Sequence, residues 1–180
     1  ITVINQYGRL IFVILPKKEK DTNKHAENCR LLGDNLVSKL KDEKSALIVD
    51  VKGNQTETMQ IAEGMALSNY TFTKHKTKGG PNKLTTIYLC RKSNEKDIKE
   101  LQNIVDSVYL TRDLINEPFS HLTAKDLAKS AVKSGKEYGI KTTVFNKKKI
   151  ESLKMGGLLA VNKGSIDEPT FTIMEWKPKN

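Results

Sequence analysis

Apolar runs and helical spacings alternate along the first part of the chain. Residues 9–16 predict a buried strand, because residues 10–15 form a continuous apolar run with β-branched side chains and a proline follows it. Asp21, Thr22 and Asn23 offer capping side chains for a helix that follows. The apolar positions of that helix recur at three- and four-residue spacing: Ala26, Cys29, Leu32, Leu36, Val37 and Leu40. A strand followed by an amphipathic helix is half of a crossover unit.

The same order is then repeated. Residues 46–49 read as a second buried strand, residues 52–54 as a turn, and Asn54 with Glu57 as a capping box. The next helix carries Met59, Ala62 and Ala66 on its apolar face, and a polar loop ends at residues 79–81 before a third strand at 84–89. Strands that alternate with helices favour an α/β fold, with a mostly parallel sheet flanked by helices on both faces.

A long helix is predicted from Asn94 to Pro118. Its apolar stripe is occupied at three- and four-residue spacing by Ile98, Leu101, Val105, Val108 and Ile115. Arg112 is the charged residue on that stripe, and Pro118 ends the helix because the residue before a proline is disfavoured in helical geometry. We interpret this helix as a connection between two domains.

The segment after Pro118 begins a second α/β region. Thr123 is a good N-cap with Asp126 at the third helical position, and Gly139 is a natural left-handed stop. The pattern then predicts a strand at 140–145, a short helix at 147–153, and strands at 157–161 and 170–176. The predicted domains are therefore residues 1–93, a connecting helix at 94–117, and the start of another domain at 118–180.

Composition narrows the class of protein. Hydrophobic residues make up 37% and charged residues 29%, which is typical of a soluble globular protein rather than a disordered or membrane-embedded one. The longest apolar stretch, residues 10–15, is far shorter than the roughly 20 residues that cross a bilayer, and no secretion signal is visible from Ile1 onward. Two distant cysteines, Cys29 and Cys90, indicate a reducing cytoplasm rather than a disulfide framework.

The net charge of +10 attracts anionic partners in principle. Basic runs occur at residues 74–78 and 147–149, with only Phe72 and Phe145 as neighbouring aromatics. Both runs are compatible with a solvated surface and with a nucleic-acid footprint, although no recognised nucleic-acid module is present.

Candidate chemistry is sparse. His25 and Cys29 lie four residues apart on a helix and could place two metal ligands on one face, although a structural role is the simpler interpretation. Asp113 and Glu117 share the same spacing and could bind a cation or remain solvated. His75 and His121 are expected to face solvent or to bond locally. No nucleophile elbow and no phosphate-binding loop is present, since residues 155–157 lack the required spacing.

Three longer strings carry a family resemblance. Residues 111–118 (TRDLINEP), followed by Leu122 and Thr123, are similar to the segment that opens the catalytic domain of leucyl (cytosol) aminopeptidases. Residues 150–165 contain the string LKMGGLLAVNKGS, which resembles a glycine-containing run of the same family, and residues 62–72 resemble the end of a helix in its front domain. Residues 119–121 and Thr111 depart mildly from the family pattern, which affects local loop contacts. In physical terms, the pair Gly156–Gly157 predicts a tight turn or close backbone approach, and Gly164 and Ser165 predict a strand end.

The resemblance implies a macro-domain-like front domain joined by a helix to a peptidase domain with two Zn²⁺ or Mn²⁺ ions, acting on peptides as a cytoplasmic hexamer. It places the metal ligands in Lys-Gly-x-x-Phe-Asp-x-Gly-Gly and Asn-Thr-Asp-Ala-Glu-Gly-Arg motifs. Neither motif occurs between residues 1 and 180, so no catalytic, cofactor-binding or metal-binding residue is predicted here, and this chain alone is expected to be inactive. Two alternatives stay open. One is a macro-like module for a nucleotide, ADP-ribose or nucleic acid, with Gly79–Gly80 as its anion-binding loop, and the other is a purely structural role in assembly.

Overall fold

The chain folds as a mixed α/β structure, as the pattern predicts. The computed structural model describes residues 1–5, 8–40, 42–50, 55–90 and 94–178. Contacts between residues divide it into two compact units, which we call the front unit (residues 1–112) and the rear unit (residues 113–180). The elements in chain order are β1 (Thr2–Asn5), β2 (Gly8–Ile11), α1 (Thr22–Leu40), β3 (Ser45–Ile48), α2 (Gln55–Ser68), β4 (Thr86–Leu89), α3 (Glu95–Asn116), α4 (Ala124–Tyr138), β5 (Lys141–Phe145), α5 (Lys147–Ser152), α6 (Gly156–Asn162) and β6 (Phe171–Glu175).

Helices α1 and α2 form the core of the front unit. The predicted cap of α1 is confirmed, because Asp21 Oδ1 accepts a hydrogen bond from the backbone N–H of Asn23 at 2.8 Å. Apolar side chains of the two helices pack into one buried cluster, which also includes Leu84, just before β4. Its fully packed members are Cys29, Val37, Ile61, Met65 and Leu84. The helical spacing in the sequence therefore identified the buried face of α1. In α2 the predicted face of Met59, Ala62 and Ala66 is wrong in part, because only Ala62 is buried and the core contact is made by Ile61 and Met65.

The two helices approach each other through glycines. A Cβ atom at Gly33 would collide with the backbone carbonyl of Ile61 and would lie 2.7 Å from the amide nitrogen of Met65. A Cβ atom at Gly64 would collide with the carbonyl of Arg30 and lie 2.7 Å from its Cα. The backbones of α1 and α2 therefore touch. The two helices run in the same direction, because His25 contacts Glu57 near the start of both helices and Gly33 lies against Met65 farther along both.

One parallel strand pair lies beside these helices. β3 and β4 are parallel, with Ala46 opposite Ile87 and Leu47 opposite Tyr88. Ala46, Ile48 and Ile87 pack towards the helical core, whereas Leu47 and Tyr88 on the other face are 60% and 57% exposed. Within the described residues, the predicted parallel sheet is thus a single pair that helices cover on one face, and the expectation of cover on both faces is wrong.

Only part of the strand predicted at residues 9–16 is present. β2 covers Gly8–Ile11 and pairs with β1 in antiparallel fashion. The ladder ends where Phe12 N–H donates to the carbonyl oxygen of Ile1 at 2.8 Å, so later residues have no opposite strand in this pair. Phe12 and Ile14 are exposed, and the prediction of one buried strand over the whole run is wrong.

The rear unit is built on α4 and an antiparallel strand pair. Thr123 Oγ1 accepts a hydrogen bond from Asp126 N–H, the Asp126 carboxylate accepts one from Thr123 N–H, and Gly139 ends the helix in the left-handed conformation at φ +69°. These features confirm the predicted cap and stop. β5 pairs with β6 from Lys141 opposite Glu175 to Phe145 opposite Phe171, which also confirms both strands. The short helix predicted at 147–153 is α5, and its Ile150 is fully buried.

Residues 157–161 form a helix instead of the predicted strand. They lie in α6, where Leu158, Leu159 and Ala160 are good helix formers and Val161 is the one β-branched residue. A Cβ atom at Gly156 or Gly157 would meet no atom within 4 Å, and neither glycine has a positive φ. The tight turn and close approach predicted for this pair are therefore wrong, as is the strand end at Gly164 and Ser165, which follow this helix.

The turn predicted at 52–54, with the capping role of Asn54, lies outside the described residues. The structure divides the chain at Arg112, inside α3, and the domain boundaries at 93 and 117 stay a prediction. Among the described residues, no helix combines the length and apolar character that crossing a bilayer requires.

Candidate functional site

A buried polar pair lies between α1 and α2 at the first positions of their inward stripes. His25 Nε2 is 2.8 Å from Glu57 Oε1, and the two side chains are 14% and 7% exposed. With the carboxylate as acceptor, this contact places a proton on Nε2. His25 Nδ1 is also buried and has no hydrogen-bond partner among the described residues. The pair therefore links the two helices through one strong polar contact.

Cys29 completes this cluster without providing a metal ligand. Its Sγ lies 4.0 Å from the same Nε2 atom that contacts Glu57. Burial raises the pKa of the Cys29 thiol, Glu57 raises it further, and Arg30 opposes the shift. A metal shared by these two side chains would require a thiolate, which the raised pKa of Cys29 disfavours. The imidazole nitrogen that lies 4.0 Å from Sγ, Nε2, is already engaged by Glu57. The structural interpretation of His25 and Cys29 is thus favoured over a metal site.

The partnership of His25 and Glu57 was not predicted, although a signal existed. Glu57 lies four residues before Ile61 and eight before Met65, so it continues the buried stripe of α2. His25 stands in the same relation to Cys29 and to the rest of the α1 stripe. Charged or polar residues on two apolar stripes predict a buried pair, because a buried carboxylate needs a hydrogen-bond partner.

Arg112, the charged residue on the stripe of α3, binds the end of α2. Its Nη1 donates to the carbonyl oxygen of Leu67 at 2.5 Å, and the Tyr109 hydroxyl donates to the carbonyl oxygen of Ala66 at 2.5 Å. The guanidinium also lies 5.4 Å from the centre of the Tyr70 ring. The last carbonyl groups of a helix lack partners within the helix and carry partial negative charge. α2 has no basic residue in its last turn, so α3 supplies both donors and the cation.

A cavity of about 570 Å³ lies beyond the carboxyl end of β3 in the front unit. This is the position where α/β folds commonly bind ligands. Asp50 and Glu57 line it, together with apolar side chains such as Leu36 and Ile61, and Lys18 is its basic lining residue. Two carboxylates at this point disfavour the phosphates of a nucleotide or ADP-ribose.

Gly79 and Gly80 do not form a phosphate cradle at a strand end. They lie in the loop that precedes β4, at its amino end, whereas phosphate-binding loops follow a strand. Gly79 has a φ of +83°, and a Cβ on either glycine would meet no atom within 4 Å. This placement does not support the nucleotide-binding alternative.

Four further candidate residues remain: His75, His121, Asp113 and Glu117. Within its own unit, none of them lies in an enclosed binding site. His75 is exposed, and its ring lies 5.9 Å from that of Phe72. His121 Nδ1 is 2.9 Å from the Ser120 hydroxyl, as expected for a local hydrogen bond. Asp113 is exposed and Glu117 half-buried, and their proposed cation binding stays a prediction.

Several carboxylates of the rear unit are paired with lysines. Asp126 Oδ1 accepts from Lys129 Nζ at 2.8 Å, and this bond, with those from Thr123, lowers the pKa of Asp126 to about 2. Glu168 Oε2 lies 2.7 Å from Lys125 Nζ, which lowers the pKa of Glu168. These carboxylates stabilise the surface of the unit. Within either unit by itself, the described residues do not bring three His, Cys, Asp or Glu ligand atoms within 4.8 Å of one another.

Comparison with known proteins shows that this chain is similar to cytosol aminopeptidases. Residues 109–180 match the model of the catalytic domain of the cytosol aminopeptidase family. A probable cytosol aminopeptidase of Chlorobaculum parvum is 63% identical over 68 residues, which cover 38% of this chain and 14% of that protein. A probable cytosol aminopeptidase of Clostridium perfringens is 29% identical over 178 residues, covering 91% of this chain and 36% of that protein.

Solved structures agree in fold. The bottromycin maturation enzyme BotP in complex with Mn superposes with a TM-score of 0.82 at 18% identity, over 99% of this chain and 39% of that chain. A tomato leucine aminopeptidase mutant superposes with a TM-score of 0.79 at 20% identity, over 96% of this chain and 36% of that chain. The chain belongs to the cytosol aminopeptidase family. It spans only about a third of the length of the relatives that it matches over most of its own length.

Proposed function

We propose that this chain forms part of a metal-dependent aminopeptidase, a cytoplasmic enzyme that removes N-terminal amino acids from peptides. The match of residues 109–180 to the family's catalytic domain carries this proposal. The proposal includes two Zn²⁺ or Mn²⁺ ions per subunit and assembly as a hexamer. When bound, such ions polarise the peptide carbonyl and activate a water molecule.

The residues described here do not fit a two-metal centre within either unit. In the front unit, the imidazole of His25 is committed to Glu57, and the buried thiol of Cys29 retains its proton. In the rear unit, the carboxylates of Asp126 and Glu168 are committed to lysine ammonium groups. We therefore assign no catalytic step to these side chains and propose that residues 1–180 supply the scaffold of the enzyme, while its metal ligands lie elsewhere.

We further propose the domain division of residues 1–93, 94–117 and 118–180. Two observations support α3 as the connecting helix. It contains 22 residues, and the division between the compact units falls inside it. Tyr109 and Arg112 hold its front-unit part against the end of α2 through the two contacts to Ala66 and Leu67.

The proposal is tested by hydrolysis of leucyl-p-nitroanilide in the presence of Zn²⁺ or Mn²⁺. The 180-residue chain should give no turnover above the rate with metal alone. The polypeptide encoded by the complete reading frame should hydrolyse the substrate, and a chelator should abolish this activity.

Two results would contradict the proposal in different ways. A complete polypeptide without metal-dependent hydrolysis would reject the aminopeptidase function. Metal-dependent turnover by the 180-residue chain would instead show that residues 1–180 hold a working centre, and would reject the scaffold role alone.

A further inference from the structure

The cavity beyond the carboxyl end of β3 has largely apolar walls. Its volume of about 570 Å³ lies within the range of roughly 300–1,000 Å³ that is usual for small-molecule sites. One wall is the segment that follows β2, where Phe12 and Ile14 line the cavity although they are 61% and 93% exposed. Helices α1 and α2 contribute Leu32, Leu36 and Ile61. Exposed apolar side chains around a concave surface are typical of a ligand-binding groove.

Two carboxylates reach this cavity from different elements. Asp50 lies two residues after β3 and is half-buried, and Glu57 lies in the first turn of α2. The Glu57 side chain is only 7% exposed, and His25 contacts one of its oxygens, Oε1. Because water screens a buried charge weakly, the Glu57 carboxylate acts on its surroundings, and it contributes to the raised pKa of the Cys29 thiol. A cation that enters the cavity therefore meets a negative local potential.

Lys18 is the basic residue that the described part of the chain contributes to the cavity. Its side chain is exposed, and within the described residues it takes part in no ion pair. The acidic groups are thus the more deeply placed charges, and the basic group lies at the solvent. A ligand with an ammonium group on an apolar body complements this distribution better than an anion does.

A second cavity of the front unit provides a contrast. It has a volume of about 620 Å³ and lies beside β4 and α3. Among the described residues that line it, Asp106 is the carboxylate, and this side chain is exposed and accepts a hydrogen bond from Gln102 Nε2 at 2.8 Å. An exposed carboxylate is well screened by water, so this cavity offers a cation much less than the one beside Glu57.

We propose that the cavity beyond β3 binds the protonated α-amino group and the side chain of an apolar amino acid. Asp50 and Glu57 hold the ammonium group, and the apolar walls hold the side chain. Hydrogen bonds between an ammonium group and a carboxylate are stronger than those between neutral groups. Free amino acids and the N-termini of peptides both carry this group. That they are the source of the ligand rests on the function proposed above, in which they are the product and the substrate.

Isothermal titration calorimetry of the 180-residue chain with matched ligands tests the proposal. L-Leucinamide carries the ammonium group and the apolar side chain, and it should bind saturably. Glycinamide lacks the side chain and isocaproate lacks the ammonium group, so each should bind about tenfold more weakly or worse. L-Leucine and leucyl-leucinamide distinguish the sources. Tighter binding of the first would identify free amino acids, and tighter binding of the second would identify peptide N-termini.

Three substitutions locate the site. Asp50→Asn removes a charge with little change of shape and should weaken the binding of leucinamide about tenfold. Its matched control is Asp34→Asn on the exposed face of α1, which does not line the cavity and should change the affinity by less than about twofold. Lys18→Gln should weaken the binding of leucine but not of leucinamide, which has no carboxylate. Circular dichroism should show that the variants are folded, and the comparison of ligands needs no variant.

Several results would overturn the proposal. Leucinamide and leucine that both fail to bind saturably would reject the site, and isocaproate that binds as tightly as leucinamide would reject recognition of the ammonium group. Equal losses in Asp50→Asn and Asp34→Asn would reject the location. Hydrolysis of leucyl-p-nitroanilide by the complete polypeptide, without leucinamide binding to residues 1–180, would reject this site alone. Binding of leucinamide without hydrolysis by the complete polypeptide would support the site and reject the aminopeptidase function.

Discussion

Two regions of the molecule are stabilised in opposite ways. Helices α1 and α2 are held together by close backbone contact, whereas the N-terminus of α4 is stabilised by side-chain hydrogen bonds. At Gly33 and Gly64, two backbones touch because side chains are missing, and the partners are far apart in sequence. At Thr123 and Asp126, two side chains bond to backbone groups three residues away on a half-exposed surface. The first contact has no room for added atoms, whereas the second depends on atoms that can be removed at moderate cost. The two regions should therefore respond very differently to small substitutions.

Gly64→Ala should have the largest effect. The added methyl group would collide with the backbone of Arg30, which cannot rotate away as a side chain could. We expect the free energy of unfolding to fall by about 3 kcal/mol, measured by urea denaturation with far-ultraviolet circular dichroism. Hydrogen exchange should show the loss of protection in α1 and α2.

Gly157→Ala is the matched control for that substitution. A Cβ atom there would meet nothing within 4 Å, and the residue lies in α6. Replacing a helical glycine by alanine should be neutral or stabilising by up to about 1 kcal/mol. Equal destabilisation by both substitutions would contradict the role of backbone contact at Gly64.

Glu57→Ala tests the polar part of the same helix contact. It would leave His25 Nε2 without its acceptor at a buried position where Nδ1 is already unpaired. The expected loss is about 2 kcal/mol, the usual cost of a buried unsatisfied group. Glu27→Ala serves as the control, because Glu27 forms an exposed pair with Arg30 at 3.4 Å and should matter by less than about 1 kcal/mol. If the two variants lost similar amounts of unfolding free energy, burial of the pair between His25 and Glu57 would not explain its contribution to stability.

Thr123→Ala should destabilise the rear unit by about 1 kcal/mol, since it removes the acceptor for Asp126 N–H at the first turn of α4. Thr123→Ser should restore most of the loss. In Thr111→Ala, a hydroxyl that bonds to the carbonyl of Ser107 within α3 is removed, and a change within about 0.5 kcal/mol is expected. A Thr123→Ala variant as stable as the unmodified chain would show that the cap contributes nothing.

The smallest expected effect is a pH dependence at the same cap. The pKa of Asp126 is lowered from 3.8 to about 2 in the folded chain, so its contribution is complete above the unfolded value and is lost as pH falls towards 2. The stability difference between the unmodified chain and Asp126→Asn should therefore shrink as urea denaturation is repeated from about pH 5 to about pH 2. A difference that stays constant over this range would contradict the assignment of the shift to the cap.

The difference between local contacts and contacts between distant residues also explains which features the sequence could predict. Thr123, Asp126 and Gly139 act within a few residues of one another, and their roles follow from local chemistry. The strand predicted at residues 157–161 is a helix, because a short apolar run does not by itself distinguish a strand from a helix. The contact between His25 and Glu57 joins residues 32 positions apart, so it required the placement of two helices before it could be recognised.

The loop at residues 70–83, between α2 and β4, is a suitable place for protein engineering, because hydrogen bonds from Asn69 to Leu84 and from Asn82 to Asn69 close its base. Because Asn69 and Asn82 fasten the two ends together, extra residues inserted between Gly79 and Gly80 need not pull on α2 or β4. An epitope or fluorophore-binding peptide could be displayed there, and loop length adds only slowly to the entropic cost of closure.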